Sequence, residues 1–86
     1  MKKVTIYLKT PLFALKGEED TVPTGAIVLK GSLGEDGKGG IHVEVSSYFS
    51  VERKSSSRQE LKDLGGESST LFIPTSKIDH IRFHDG

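Results

Sequence analysis

Between Ile41 and Glu52 the chain reads IHVEVSSYFSVE, an alternation of apolar and polar residues with a single interruption. Ile41, Val43, Val45, Phe49 and Val51 fall on one side of that alternation. His42, Glu44, Ser46, Tyr48, Ser50 and Glu52 fall on the other. A period of two predicts a half-buried β-strand, and one this long must bend to stay within a small domain. Ser47, beside Ser46, marks the place, because a small side chain fits a tightly curved sheet. The pattern predicts one apolar face running through the bend, with Phe49 in the core.

The same alternation places a first strand at Val4, Ile6 and Leu8, ended by Thr10-Pro11, with Leu12, Phe13 and Leu15 as an apolar continuation past the proline. Residues 17–25 (GEEDTVPTG) read as an exposed loop. Residues 26–33 form a second strand in which Ile27, Leu29 and Leu33 face together and Gly31 marks a bend. The glycine-rich run 34–40 (GEDGKGG) turns it into the long third strand as a hairpin. Residues 53–70 are a polar, serine-rich excursion, flexible or helical. Within it Ser57-Arg58-Gln59-Glu60 matches a capping box and Gly65-Gly66 a stop, which predicts a helix of about two turns. The segment LFIPTSKIDHIRF supplies two short strands, 71–73 and 78–83, split at Pro74-Thr75-Ser76-Lys77.

Composition narrows the function classes. Eighty-six residues make one domain, and at 34% apolar its core is thin. Without cysteine there is neither a disulfide framework nor a thiolate metal site. Small domains that lack such staples often gain stability as oligomers. Twelve basic and twelve acidic residues balance to zero, against a broadly basic nucleic-acid binder, although a local basic rim remains compatible with that total. MKKVTIYLKT alternates where a signal peptide would be continuously apolar, and no run has membrane-spanning length. A soluble, cytoplasmic protein without membrane contact is expected.

The order of elements resembles the Sm/LSm family, whose fold is a five-stranded, strongly bent antiparallel barrel. The resemblance covers residues 26–83 apart from the excursion. KGSLGEDGKGGIHVEV keeps a strand-two glycine, Gly31, and a turn aspartate, Asp36, of the family's first motif, with Gly39 and Gly40 where Met and Asn would stand. Ile73-Pro74-Thr75-Ser76-Lys77-Ile78 keeps the two isoleucines of the second motif and lacks its Arg-Gly. The expected fold is therefore mostly β, an Sm-like/SH3-like five-stranded barrel with a short helix in the excursion. The family's uridine pocket does not carry over, because its base-contacting residues are missing. Its ring-forming habit implies a cyclic homo-oligomer joined through edge strands 71–73 and 78–83.

The resemblance also implies that the two turns meet at an inner rim. Lys38, Gly39 and Gly40 would then join Thr75, Ser76 and Lys77 in holding phosphate oxygens of RNA or single-stranded DNA. His42 and Tyr48, on the polar face of strand three, are candidates to stack on bases. The plainer reading makes the runs a hairpin turn and a tight corner, and the aromatics packing residues; Tyr7 has the same ambiguity. His80 and His84 suggest a metal site, but four strand residues separate them by ~13 Å, too far for one ion. No nucleophile elbow or phosphate-binding loop occurs, so neither a catalytic residue nor a cofactor is expected. The implied function is a non-catalytic nucleic-acid-binding ring. The alternatives are an oligomeric protein-interaction scaffold and a monomeric SH3-like or OB-like barrel that binds a peptide or oligonucleotide.

Overall fold

A computed structural model describes residues 2–84. Six strands occur: β1 (Lys3–Leu8), β2 (Val28–Gly37), β3 (Gly40–Ser55), β4 (Arg58–Gly65), β5 (Ser69–Pro74) and β6 (Ile78–His84), with a 3-10 turn at Thr75–Lys77 between the last two. Every pairing is antiparallel. The strand order is β4-β3-β2-β1-β6, with β5 also on β3. β2 occupies one edge of β3. The other edge is shared end to end by β5, opposite Gly40–Val45, and β4, opposite Tyr48–Ser55. The sheet is open: among the described residues β5 pairs only with β3, and β6 only with β1.

The fold is thus mostly β, with two corrections to the sequence reading. There are six strands where five were expected, and the extra one replaces the expected helix. Residues 58–65 pair with β3 through a two-residue turn at Ser56-Ser57, setting Leu61 opposite Val51 and Lys62 opposite Ser50. A two-turn helix gains little by itself. The long free edge of β3 offers a ladder of backbone hydrogen bonds instead, and that tertiary gain outweighs the capping signal.

The bend in β3 is where the serines placed it, but it changes the phase of the strand. Lys30 pairs with Ser47 and Gly31 with Val45, so Ser46 is an extra residue in the ladder, a β-bulge, with its Oγ donating to the Lys30 carbonyl at 3.1 Å. Val43 and Val45 are buried before it; after it the inward residue is Tyr48, fully buried, while Phe49 is half-buried and Val51 exposed. Phe49 is therefore not the core residue the unbroken alternation implied. Gly31 is required opposite the bulge, because a Cβ there would overlap the backbone carbonyl of Glu44.

Val4, Ile6, Leu8, Ala26, Leu29, Val43, Val45, Tyr48 and Ile73 make the core. Residues 9–27 form an arm folded back on itself. Leu12 donates to the Ala26 carbonyl at 2.7 Å, Gly25 to that of Leu12 at 2.9 Å, and the Thr24 hydroxyl bonds both backbone groups of Ala14. The apolar continuation after Pro11 is thus not a strand. It buries Ala14 and leaves Phe13 and Leu15 exposed. The arm and the sheet include no helix long and apolar enough to cross a membrane.

Candidate nucleic-acid interface

The two turns meet. Lys38 and Gly39 alone connect β2 to β3, since Gly37 already pairs with Gly40. Gly40 pairs with Pro74, and the Thr75 N–H donates to the Gly39 carbonyl at 2.9 Å. Gly40 is buried there, with no room for a Cβ against the Ile73 carbonyl and the Phe72 ring. Lys38, Thr75 and Ser76 are exposed. Lys77 does not join them as a free cation. Its Nζ donates to Thr10 Oγ1 at 2.7 Å and to the Pro11 carbonyl at 3.3 Å, which ties the 3-10 turn to the start of the arm. Glu35 and Asp36 lie just before Lys38 in the same hairpin and offset its charge.

His42 is exposed on β3, in register with Phe72 of β5, and the rings sit 5.0 Å apart and tilted by 58°. Its Nδ1 hydrogen-bonds the Glu35 carbonyl at 3.2 Å. Phe72, 46% exposed, is a partner the sequence did not single out, because only the β3–β5 register brings it beside His42. Tyr48 has the opposite fate. The bulge turns it into the core, where no base can reach it.

Strand register extends this outward face across the sheet, since residues directly opposite one another in antiparallel strands share a side. His84, Lys3, Ser32 and Glu44 form one cross-strand row on β6, β1, β2 and β3. Arg82, Thr5, Lys30 and Ser47 form the next, and His80, Tyr7, Val28 and Phe49 the third. Three full cations, Lys3, Lys30 and Arg82, thus cluster on a face where the register also sets Glu44 and, opposite Phe49 on β4, Asp63, in a chain of zero net charge. Aromatic rings bracket them. Tyr7 stacks on His80 with centroids 4.3 Å apart and planes 13° from parallel, and the Lys30 ammonium stands 5.1 Å from the Phe49 ring centroid. His42 and Glu44 point to the same side of β3, so the His42–Phe72 pair belongs to this face as well.

His80 and His84 face Tyr7 and Lys3 respectively from β6, and the imidazole of His80 also contacts Asp79 at 2.8 Å. On the other side of β5 an apolar groove of about 270 Å³ runs between the arm and the strand, walled by Leu12, Phe13, Val22, Leu71, Ile73 and Pro74. No protein family, no curated protein and no solved structure matches the chain.

Proposed function

We propose that this chain is a non-catalytic module that binds single-stranded nucleic acid, RNA or DNA, on the outward face of the β6-β1-β2-β3-β5 sheet. The observation that carries the reading is the placement of Lys3, Lys30 and Arg82 between the Tyr7–His80 stack and the His42–Phe72 pair. Single strands are held without sequence reading by cations that follow the phosphates and rings on which bases stack, each stack contributing about 1–3 kcal/mol. The Lys38-Gly39 turn, held to Thr75, borders the same face and supplies one more cation at its rim. Thr75 and Ser76 add exposed hydroxyls beside it.

A cyclic homo-oligomer, the habit of the Sm-like family that the element order resembles, is part of the proposal. β5 and β6 each carry an unpaired edge among the described residues, and pairing residues 71–73 of one copy with 78–83 of the next would hide those backbone groups. The test is fluorescence anisotropy of a labelled single-stranded oligonucleotide across a salt series, with light-scattering mass on the same sample. Salt-sensitive binding is expected, since each lysine or arginine on a phosphate releases counterions. Lack of binding at low salt overturns the reading.

One observation favours a second reading, a protein-interaction scaffold. Phe13 is 77% exposed and borders the apolar groove between arm and β5, and an exposed apolar patch of this kind marks contact surfaces. Substituting Phe13 separates the two readings, because it lies outside the cationic rows.

A further inference from the structure

Where β1, β2 and the end of β6 meet, the outward face sinks into a pocket of about 240 Å³ walled by Lys3, Thr5, Lys30, Ser32, Ser46 and His84. We propose that this pocket binds a phosphate-type oxyanion. The inference deepens the single-strand reading, because a strand's phosphate is one source of that group and free phosphate is the other.

The walls carry two lysines, an imidazole and three hydroxyls, and among the described residues no carboxylate lines them. Glu44, the acid opposite Ser32 in register, is exposed and is not part of the walls. Arg82, opposite Thr5 on the β6 side, adds a third full cation next to the pocket. Such a donor-rich wall repels cations and suits an anion, which would receive charge-assisted hydrogen bonds. Size narrows the class further. Pockets for whole organic ligands run about 300–1,000 Å³, and this one lies below that range. It suits one tetrahedral group better than an entire nucleotide.

Thr5 is the second, independent sign. Alternation on β1 puts it on the outward face with Lys3 and Tyr7, yet it is only 2% exposed, the one buried polar residue of the chain among those described. Its Oγ1 lies 2.7 Å from Nε2 of His84. A threonine hydroxyl donates one hydrogen bond and accepts two. With a proton on Nε2, the imidazole donates to Oγ1, and the hydroxyl hydrogen is released for a ligand. The Lys30 stem walls the pocket while its ammonium rests near the Phe49 ring, a weakly held position from which it can swing to an anion. Ser46 donates to the Lys30 carbonyl, so the bulge fixes the wall that carries this lysine.

The experiment is an amide NMR titration with inorganic phosphate at constant ionic strength, chloride serving as the control anion. Phosphate is expected to shift the Thr5, Gly31 and Ser32 amides in a saturable way that chloride does not reproduce. Lys3→Met and Lys30→Met keep the apolar stems and should each weaken binding about tenfold or more, as loss of a charged hydrogen bond predicts. Lys16→Met, on the arm, should leave it unchanged. A flat phosphate titration overturns the proposal, as does a response that both pocket variants retain. A parallel titration with a single-stranded oligonucleotide separates the two ideas. Phosphate binding without oligonucleotide binding leaves the pocket standing and removes the nucleic-acid reading. Oligonucleotide binding without phosphate binding does the reverse.

Discussion

The Tyr48 hydroxyl meets the Ser69 hydroxyl at 2.6 Å, joining the first inward residue past the β3 bulge to the first residue of β5. A buried tyrosine needs a partner for its polar end, and this one finds it where the chain returns from the β3–β4 hairpin. Tyr48→Phe should cost about 1 kcal/mol for the lost bond, with Ser69 still able to reach water. Tyr48→Ala should cost about 3–5 kcal/mol. Phe49→Ala, at a half-buried outward position, should cost clearly less than Tyr48→Ala in the same urea series. The reverse ranking would place the bulge elsewhere.

Gly31 faces the bulge from β2. Gly31→Ala forces its Cβ against the Glu44 carbonyl, a backbone atom that cannot rotate away. The expected loss is about 1–3 kcal/mol or more, typical of overpacking. A thermal melt within error of the parent would contradict the close approach of the two strands.

The cationic rows make a prediction about salt. If Lys3, Lys30 and Arg82 contact phosphates, each substitution to methionine should reduce the slope of log affinity against log salt by about one unit. Lys77→Met should leave the slope unchanged, because its ammonium is engaged by Thr10 and the Pro11 carbonyl. An equal effect of Lys77→Met would show that the turns, and not the sheet face, carry the strand.

On the β3–β4 hairpin, Glu52 sits between two lysines. A hydrogen bond and charge from Lys54, at 3.0 Å, with a smaller contribution from Lys62, at 3.5 Å, hold the Glu52 carboxyl below its ordinary value. The pairs also relieve the like charge of Glu60 directly opposite, which Arg58 engages in turn. A carboxylate whose folded pKa is depressed favours folding above its unfolded pKa. That contribution fades as pH falls through the folded value. The protection of hairpin amides, corrected for the intrinsic exchange rate at each pH, should therefore fall on acidification more in the parent than in Glu52→Gln. The carboxyl is open to solvent, so high salt should narrow the difference. Identical pH profiles would remove the pairs from the account.

The sequence made most strand positions legible, because β1, β2, β3, β5 and β6 all carry apolar periodicity or a turn signal. It could not show the phase change at Ser46, since an extra residue in one strand is defined only by its partner, here Lys30. It could not decide between helix and strand for 58–65. Leu61 and Leu64 suit a helix, and the free edge of β3 that overrides them is a property of the folded sheet. Meeting of the Lys38-Gly39 and Thr75 turns was implied by the resemblance to the Sm/LSm family alone. The outward cluster was not, because Lys3, Lys30 and Arg82 stand far apart in sequence and come together only through two registers.

The pairing of His84 with Lys3 has a consequence for how the sheet is held together. The β2–β3 and β3–β4 ladders join neighbours along the chain and form by short loop closures, whereas the Thr5–His84 contact spans 79 positions. The β1–β6 ladder therefore closes the longest loop of the sheet. The anion pocket exists only once that ladder is made, so an occupant works as a clasp: it favours the state in which the least local strand is in place.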